Sequence, residues 1–242
     1  MHSIFVSDLH LCPARLAINS TFFNFLRHAA ARAQALYILG DLFEYWAGDD
    51  DLSDAFNHSI VARLAATVSG GVPVMLMHGN RDLLLSRTFA NATGANLLPD
   101  PTSVDLYGTR TLLMHGDTLC TDDQRYQSFR RRVRSAFWQK LFMLQPLSWR
   151  RAQIERARRI SESEKRTKSA QIMDVTPEAV TSAFRECDCD RLIHGHTHRP
   201  ARHEHIVDGR RCERWVLSDW YQTGQYLRVT REGCESILLP FR

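Results

Sequence analysis

Seven side chains that can bind metal ions follow short apolar runs in this 242-residue chain. They lie in Asp-x-His, Gly-Asp, Gly-Asn, His-Gly and Gly-His-x-His segments: Asp8, His10, Asp41, Asn80, His115, His196 and His198. Carboxylate, amide and imidazole groups suit manganese or a similar first-row ion better than a thiolate zinc site, and no cysteine stands at these positions. The residue types therefore predict a metal centre of oxygen and nitrogen donors.

Phosphate chemistry explains why such a set would hold two ions. Two divalent cations about 3.5–4 Å apart need donors from both sides and a carboxylate between them, and such a pair polarises phosphoryl oxygens and makes hydroxide near neutral pH. Asp41 stands alone after a strand and a glycine, so it is the natural bridge. Asp8 and His10 alternate along the chain and can both reach the first ion. The second ion would take three further donors: Asn80, His115 and His196.

Short apolar runs must position these ligands. Each run is short enough to be a buried strand rather than a helix: residues 4–6, 36–39, 74–77, 111–114 and 192–193. In open α/β sheets, sites form at the carboxyl ends of the strands, so residues that are distant in sequence can converge there. We therefore expect the ligands to gather at one edge of one sheet.

Each segment alone also has an ordinary structural explanation. Gly-Asp and Gly-Asn after a strand are usually turns, because glycine and asparagine tolerate positive φ. A histidine beside a strand is more often a core residue than a ligand. The metal site is favoured because all five segments occur in order, each after a predicted strand.

Taken together, the five segments resemble those of the calcineurin-type metallophosphoesterases, over nearly the whole catalytic body. Several longer stretches are more particular: Gly40-Asp41-Leu42-Phe43-Glu44-Tyr45-Trp46, His78-Gly79-Asn80-Arg81-Asp82 and His194-Gly195-His196-Thr197-His198-Arg199-Pro200. These stretches resemble the family of UDP-2,3-diacylglucosamine pyrophosphatases, which act in lipid A biosynthesis in Gram-negative bacteria.

The resemblance implies a ligand set and a reaction. One manganese ion would be held by four residues: Asp8, His10, Asp41 and His198. The second manganese ion would share the bridge: Asp41, Asn80, His115 and His196. Hydroxide held by the two ions would attack the α-phosphorus of UDP-2,3-diacylglucosamine and release UMP and 2,3-diacylglucosamine 1-phosphate.

The same resemblance implies residue roles and partners. The catalytic residues would be Asp41, Asn80, Arg81 and His115. The substrate contacts would be Asn80, Arg81, Asp123, Ser161, Lys165, Lys168 and His196, where Ser161 and Lys165 depend on helical register. The protein would bind a lipid-nucleotide substrate on the cytoplasmic face of the inner membrane, as a peripheral protein, with no nucleic acid and no obligate protein partner.

Arg81 departs from the general phosphoesterase pattern, which has histidine after Gly-Asn. Arginine does not give up a proton at working pH, so it cannot act as an acid toward the leaving group. It can still stabilise charge on a phosphoryl group through its planar fork. A phosphate that leaves from an anhydride needs no protonation, whereas an alkoxide does. Arg81 therefore favours pyrophosphate cleavage over ester cleavage; the ordinary alternative is a surface arginine after a turn.

Length and composition are consistent with one α/β domain over residues 1–242 that carries a helical basic insertion at 124–172. In line with the family resemblance, we expect this domain to have four α-β-β-α layers. At 44% apolar residues the chain can bury a substantial core without disulfides, so its six cysteines are expected to be reduced thiols. No secretory signal and no apolar run of roughly 20 residues are visible. Thr176-Pro177 predicts a helix start, and Asp208-Gly209 and Glu232-Gly233 predict turns between strands of an antiparallel part of the core.

The insertion carries most of the positive charge. Residues 124–172 contain fourteen Lys and Arg against three Glu, a net charge of +11, whereas the whole chain carries +4. A helix with one apolar stripe is predicted from Phe129, Val133, Phe137 and Leu141, ending before Pro146, with a second helix from about Trp149. Arginines beside aromatic residues suit an interfacial helix or a lid over acyl chains; a solvated helix pair is the simpler alternative.

Two other functions remain open. A phosphodiesterase acting on nucleic acid or cyclic nucleotides would use the basic insertion for phosphate binding, but its leaving groups would gain from an acid that Arg81 cannot supply. A metal-dependent docking module would explain the fold, but a docking surface has no need of Asn80 and His198 together.

Overall fold

The computed structural model describes residues 1–165, 172 and 174–240, with backbone alone for 162–165. The strands in this part of the chain are β1 (Ser3–Val6), β2 (Ala35–Leu39), β3 (Val74–Met77), β4 (Asn96–Leu98), β5 (Thr102–Leu106), β6 (Thr109–Leu113), β7 (Arg191–His194), β8 (Ala201–Val207), β9 (Arg210–Val216), β10 (Gly224–Val229) and β11 (Cys234–Leu239). The helices are α1 (Leu16–His28), α2 (Ala55–Ser69), α3 (Arg87–Thr93), α4 (Gln124–Val133), α5 (Ala136–Met143), α6 (Leu147–Lys165) and α7 (Pro177–Cys187).

The strands form two sheets. One has six strands in the order β11-β10-β1-β2-β3-β4, and the other has five in the order β5-β6-β7-β9-β8. The run from β1 to β4 is parallel, as are the pairs β6·β7 and β7·β9. The expected antiparallel part is present in β10 and β11 and between β8 and β9, but β9 also pairs in parallel with β7, which the sequence did not predict.

Three apolar clusters separate four layers. Along β1, Ile4 and Val6 face a cluster that includes Phe22 of α1, whereas Phe5 faces the other sheet. This alternation follows from the two-residue period of a strand, and it lets one sheet contact two layers. On the far side of the second sheet, Val180 and Phe184 of α7 complete the outer cluster. The predicted four-layer α-β-β-α fold is therefore confirmed.

The prediction that the ligands gather at the edge of one sheet was wrong. Asp8, Asp41 and Asn80 follow β1, β2 and β3 of the first sheet, but His115 and the 196–198 segment follow β6 and β7 of the second. The backbone N–H of His196 donates to the Asp8 carboxylate at 2.8 Å, which joins the loops of the two sheets. The site is assembled because parallel strands of both sheets end at the same end of the sandwich.

The single apolar stripe predicted for the insertion was also wrong. Three helices occupy residues 124–165. The helical conformation is interrupted between α4 and α5, where the side chain of Ser135 caps α5 by accepting a hydrogen bond from the backbone N–H of Trp138. Val133 is buried, while Phe137 is 80% exposed, because the break places them on different faces. The second predicted helix is present and begins at Leu147, directly after Pro146.

Two simpler features complete the fold. All six cysteines are free thiols, as predicted. Among the described residues, no helix combines the length and the apolar character needed to cross a bilayer.

Candidate metal centre

Five of the predicted ligands have left-handed backbone conformations. The φ angle is 53° at Asp8, 49° at His10, 55° at Asp41, 69° at His196 and 55° at His198. Such conformations cost on the order of 1–3 kcal/mol for residues other than glycine, and they persist where the surrounding structure enforces them. Their concentration at the ends of the strands marks this region as a functional site.

Asp8, His10 and His198 form the first group of donors. Their ligand atoms all lie within 4.8 Å of one another. The Nε2 atom of His198 is 3.3 Å from Asp8 Oδ1 and 3.5 Å from the Nε2 atom of His10. Two imidazole nitrogens that face one carboxylate at these distances can share a cation through their lone pairs. This group therefore fits one metal ion.

Asn80, His115 and His196 form the second group. The Oδ1 atom of Asn80 lies 3.1 Å from His115 Nε2 and 2.9 Å from His196 Nδ1. The other ring nitrogen of His115, Nδ1, is 2.9 Å from the carbonyl oxygen of Leu39. A proton on Nδ1 donates to that carbonyl, which leaves the lone pair of Nε2 directed into the site, as is usual for a metal-binding histidine.

Asp41 lies between the two groups. Its Oδ2 atom is 4.0 Å from His10 Nε2, and its Oδ1 atom is 3.9 Å from His115 Nε2. The side chain is 2% exposed, so bulk water does not solvate the charge on either oxygen. One carboxylate oxygen toward each group is the arrangement expected of a bridging ligand.

The titration of the site reflects buried negative charge. Burial raises the pKa of Asp41 to about 7, and the nearby Asp8 adds to this effect. Burial would lower the pKa of His115, but the carboxylates around it, with Asp41 first, raise it to about 9. At Asp8, burial is outweighed by the hydrogen bond and charge of His198, so its pKa is lowered. Burial and the charge of His115 lower the pKa of His196 to about 3.

These shifts have one physical meaning. Two carboxylates inside the protein need a positive charge, and His115 supplies it as a proton. A divalent cation would supply it better, because every donor turned toward the centre is an oxygen or an imidazole nitrogen that can bind a cation once it has lost its proton. The residues therefore fit two divalent cations, and the absence of a thiol among these donors agrees with a first-row ion such as manganese.

Asp82 holds two of the ligand loops together, a role that was not predicted from the sequence. Its buried carboxylate accepts from the backbone N–H groups of Gly79 and Leu42, both at 2.8 Å, and of Asp41 at 3.3 Å. Three donors to one carboxylate fix the loop after β2 against the loop after β3. This aspartate is part of the segment His78-Gly79-Asn80-Arg81-Asp82, but two of its three donors, Asp41 and Leu42, lie about forty residues away.

Two glycines in the site are required by close approach. A Cβ atom on Gly79 would lie 2.0 Å from Asp41 Oδ1, and one on Gly195 would lie 2.3 Å from Asp8 Oδ2. No side chain fits at either position without displacing a ligand carboxylate. The glycines that precede the ligands are therefore part of the site and not only turn residues.

An arginine group surrounds the buried Glu44 beside the metal ligands. Arg158 pairs with Oε1 of Glu44, Nη1 of Arg81 lies 3.5 Å from the same oxygen, and Nη2 of Arg15 lies 3.1 Å from Oε2. One carboxylate among three guanidinium groups leaves a net positive charge. The sequence analysis included Arg158 only in the charge of the insertion. Its position three residues before Ser161 would have placed both on the same face of one helix.

The remaining predicted substrate contacts are distributed along the insertion. Asp123 caps α4 by accepting from the backbone of Tyr126, whose ring lies 5.7 Å from the ring of His196, so the insertion begins beside the second group of donors. Ser161 is exposed on α6. The side chain of Lys165 and the whole of Lys168 lie outside the described residues.

Comparisons with known proteins agree with this geometry. The family model of the calcineurin-like phosphoesterases matches residues 1–200. The chain is 51% identical to a UDP-2,3-diacylglucosamine hydrolase of Aromatoleum aromaticum over 96% of this chain and 95% of the relative. It is 46% identical to the hydrolase of the same name in Serratia proteamaculans over the full length of both chains.

One solved structure supports the fold alone. It is described as a novel archaeal phosphodiesterase, and it matches with a TM-score of 0.50 at 13% identity, over 99% of this chain and 100% of that one. The family, by contrast, is established by the sequence matches. The chain belongs to the calcineurin-like phosphoesterases and, within them, to the UDP-2,3-diacylglucosamine hydrolase family of enzymes.

Proposed function

We propose that this enzyme cleaves the pyrophosphate of UDP-2,3-diacylglucosamine in lipid A biosynthesis. Water adds to the α-phosphorus, the bond from that phosphorus to the bridging oxygen breaks, and the products are UMP and 2,3-diacylglucosamine 1-phosphate. The names of its relatives support the substrate. The observation that carries the proposal is the position of Arg81, which follows the donor Asn80 directly and lies within the arginine group.

The proposed cofactor is a pair of Mn²⁺ ions, for which the carboxylate, amide and imidazole donors are suited. When bound, such a pair polarises phosphoryl oxygens and lowers the pKa of water. One set of ligands would be Asp8, His10, Asp41 and His198. The other would be Asp41, Asn80, His115 and His196.

Arg81 stabilises the leaving group in this proposal. Its guanidinium is 12% exposed and lies 3.5 Å from the Glu44 carboxylate, so its position is held before substrate binds. Charge that develops on the departing phosphate meets a cation that cannot lose its proton. Because a phosphate monoester is a good leaving group, no acid is required at this position.

The insertion would contact the lipid half of the substrate and the surface of the inner membrane. Eight large apolar side chains are exposed in the described part of the insertion: Phe129, Phe137, Leu141, Met143, Leu144, Trp149, Ile160 and Ile172. Aromatic and aliphatic groups beside arginines suit the boundary between acyl chains and lipid phosphates. We propose Asp123, Ser161, Lys165 and Lys168 as substrate contacts, and a peripheral location on the cytoplasmic face.

Hydrolysis in oxygen-18 water tests the reaction. The purified protein with Mn²⁺ is incubated with UDP-2,3-diacylglucosamine, UDP-glucose, bis-p-nitrophenyl phosphate and single-stranded DNA, and the products are separated by mass. We expect rapid cleavage of the lipid nucleotide alone, with the label in UMP. Label in the lipid phosphate would refute attack at the α-phosphorus. Faster cleavage of the diester or of DNA would favour the phosphodiesterase alternative.

A further inference from the structure

The segment between β9 and β10 forms a wall beside the first group of donors. Trp220 at its centre is fully buried against Phe22 and Phe25 of α1, and its backbone N–H donates to the carbonyl of Asp8 at 3.1 Å. The neighbours of Trp220 face the other way. Asp219 Oδ2 lies 3.6 Å from His198 Nδ1, and Tyr221 stacks on the ring of His10 at 5.1 Å. The buried tryptophan therefore holds both side chains at the site.

A cavity of about 340 Å³ opens along this wall. It is lined by His198, Ser218, Asp219, Tyr221, Gln222 and Thr223. None of these residues belongs to the insertion. The lining offers hydroxyl, amide and carboxylate groups, and among the described residues it includes no lysine or arginine. Tyr221 is fixed as one wall, since the guanidinium of Arg15 lies over its ring at 4.2 Å.

The chemistry of the lining selects against two kinds of ligand. A free anion would be repelled by the carboxylate of Asp219, and none of the residues that line the cavity is a lysine or arginine that could pair with it. An acyl chain would strip water from Ser218, Gln222 and Thr223 and return no hydrogen bonds, which is costly for each polar group. A neutral ligand with several O–H and N–H donors complements the carboxylate and the amide.

The proposed substrate has an apolar half, the diacylated sugar, and a polar half, the nucleoside. If its α-phosphorus lies among the metal ligands, the diacylated sugar and the nucleoside must leave the centre in different directions. The exposed apolar side chains belong to the insertion, whose Arg158 pairs with Glu44. The polar cavity lies on the side of His198 and Tyr221, and it adjoins the first group of donors directly.

We infer that this cavity is the subsite for the nucleoside half of the substrate. Asp219 accepts hydrogen bonds from the ribose hydroxyls, and the amide of Gln222 pairs with the carbonyl and N–H of the uracil imide. Ser218 and Thr223 complete the polar rim. This inference depends on the proposed function for the identity of the nucleoside, and it adds the residues that distinguish a nucleotide from a simple phosphate.

Ligand binding measured by calorimetry tests the subsite without turnover. UMP, ribose 5-phosphate and inorganic phosphate are titrated into the Mn²⁺-loaded protein. We expect UMP to bind about a hundredfold more tightly than inorganic phosphate, with ribose 5-phosphate between them. The variant Q222A with T223A should weaken UMP binding about tenfold and leave phosphate binding unchanged, because the phosphate and its metal contacts are common to all three ligands.

The control is Q34A, which removes an amide of the same kind outside this cavity; Gln34 accepts from Tyr107. It should bind all three ligands as the parent does. The inference is overturned if UMP binds no more tightly than phosphate, or if the double variant keeps full UMP affinity. The proposed function fails separately: UMP bound at this cavity, with no hydrolysis of UDP-2,3-diacylglucosamine, would retain the nucleoside subsite and remove the lipid substrate.

Discussion

The metal centre and the insertion are held in place by different forces. At the candidate metal centre, backbone geometry fixes the donors: five of them have left-handed φ angles, a hydrogen bond to Asp8 joins the loops of the two sheets, and hydrogen bonds to Asp82 join two loops of the first sheet. The insertion has few buried apolar residues, with Val133 and Phe142 among them. A reaction centre needs donors at fixed positions, whereas a lipid-binding surface needs exposed apolar area. The donors are therefore held among buried groups, whereas much of the apolar surface of the insertion is exposed.

Ion pairs join the insertion to the body and explain its charge. Its arginines meet acidic residues of the body in the pairs Arg130–Asp117, Arg134–Asp117, Arg150–Asp50, Arg151–Asp51 and Arg158–Glu44. Arg150 is 1% exposed and also donates to the carbonyl of Ala47. Part of the +11 charge of the insertion is thus neutralised by the negative remainder of the chain, and is not available to lipid phosphates.

The largest effect should follow from removing the residue that serves both groups of donors. We expect D41A to lower turnover by at least about a thousandfold and to bring the bound manganese below two ions per chain, since the bridge is lost. Elemental analysis and product formation measure both. D208A removes an exposed carboxylate far from the site and should change neither. Two tightly held ions with near-normal turnover in D41A would show that Asp41 does not bridge.

The pH dependence of stability should also separate the two regions. In metal-free protein the pKa of His115 is about 9 against a usual value of 6.5, so the folded state holds this proton more tightly than the unfolded state. That stabilisation is complete below about pH 6.5 and is lost as the pH rises through about 9, to a total on the order of a few kcal/mol. The raised pKa of Asp41, about 7, acts in the same direction at lower pH: stability falls as the pH rises toward 7.

Thermal unfolding between pH 6.5 and 9.5 measures this effect. The EDTA-treated protein should lose stability over the range, while the Mn²⁺-loaded protein should not, because ligation replaces the proton. The insertion is joined to the body through arginine–carboxylate pairs and not through His115, so its resistance to protease should stay constant. A flat or rising stability of the metal-free protein would contradict the charge balance described for the centre.

A smaller effect should follow from E44Q, which keeps the shape of the side chain that joins the regions but removes its charge. We expect kcat/KM to fall about tenfold, or roughly 1.4 kcal/mol, because Arg81 and Arg158 lose their common anchor. In the background of R81A the same change should cost much less, since contacting residues are not additive. E204Q, at a residue with a 77% exposed side chain, is the control. Equal losses in both backgrounds would show that Glu44 does not act through Arg81.

Local patterns were enough to predict that the candidate donors lie at strand ends, because each donor follows a strand in sequence. The start of α7 at Thr176-Pro177 and the turns at Asp208-Gly209 and Glu232-Gly233 were confirmed for the same reason. Which sheet each strand joins depends on pairing between distant segments, so the division of the ligands over two sheets was missed. The roles of Asp82 and Glu44 were missed because hydrogen bonds between residues that are distant in sequence produce no recognisable spacing.

The smallest effect concerns the exposed surface of the insertion, and the structure shows which residues to change. Trp138 and Phe142 stack on each other at 4.7 Å, and Phe142 is buried, so replacing them would disturb the packing of the insertion itself. Phe137 and Leu144 are each 80% exposed and can be replaced without creating a cavity. They are the sharper probes of contact with lipid.

We expect F137S with L144S to weaken sedimentation with anionic vesicles about tenfold and to leave metal content unchanged. Full burial of two such side chains would contribute on the order of 3–6 kcal/mol, and a wet interface only part of it. The matched control is I206S with L238S, which removes apolar groups that are 70% and 65% exposed on β8 and β11. Binding should also weaken with salt, since each exposed arginine near the surface contributes about 1 kcal/mol that ions screen. If the parent protein does not sediment at low salt, or if the control weakens binding equally, the insertion is not the lipid-binding region, and its exposed apolar side chains need another partner.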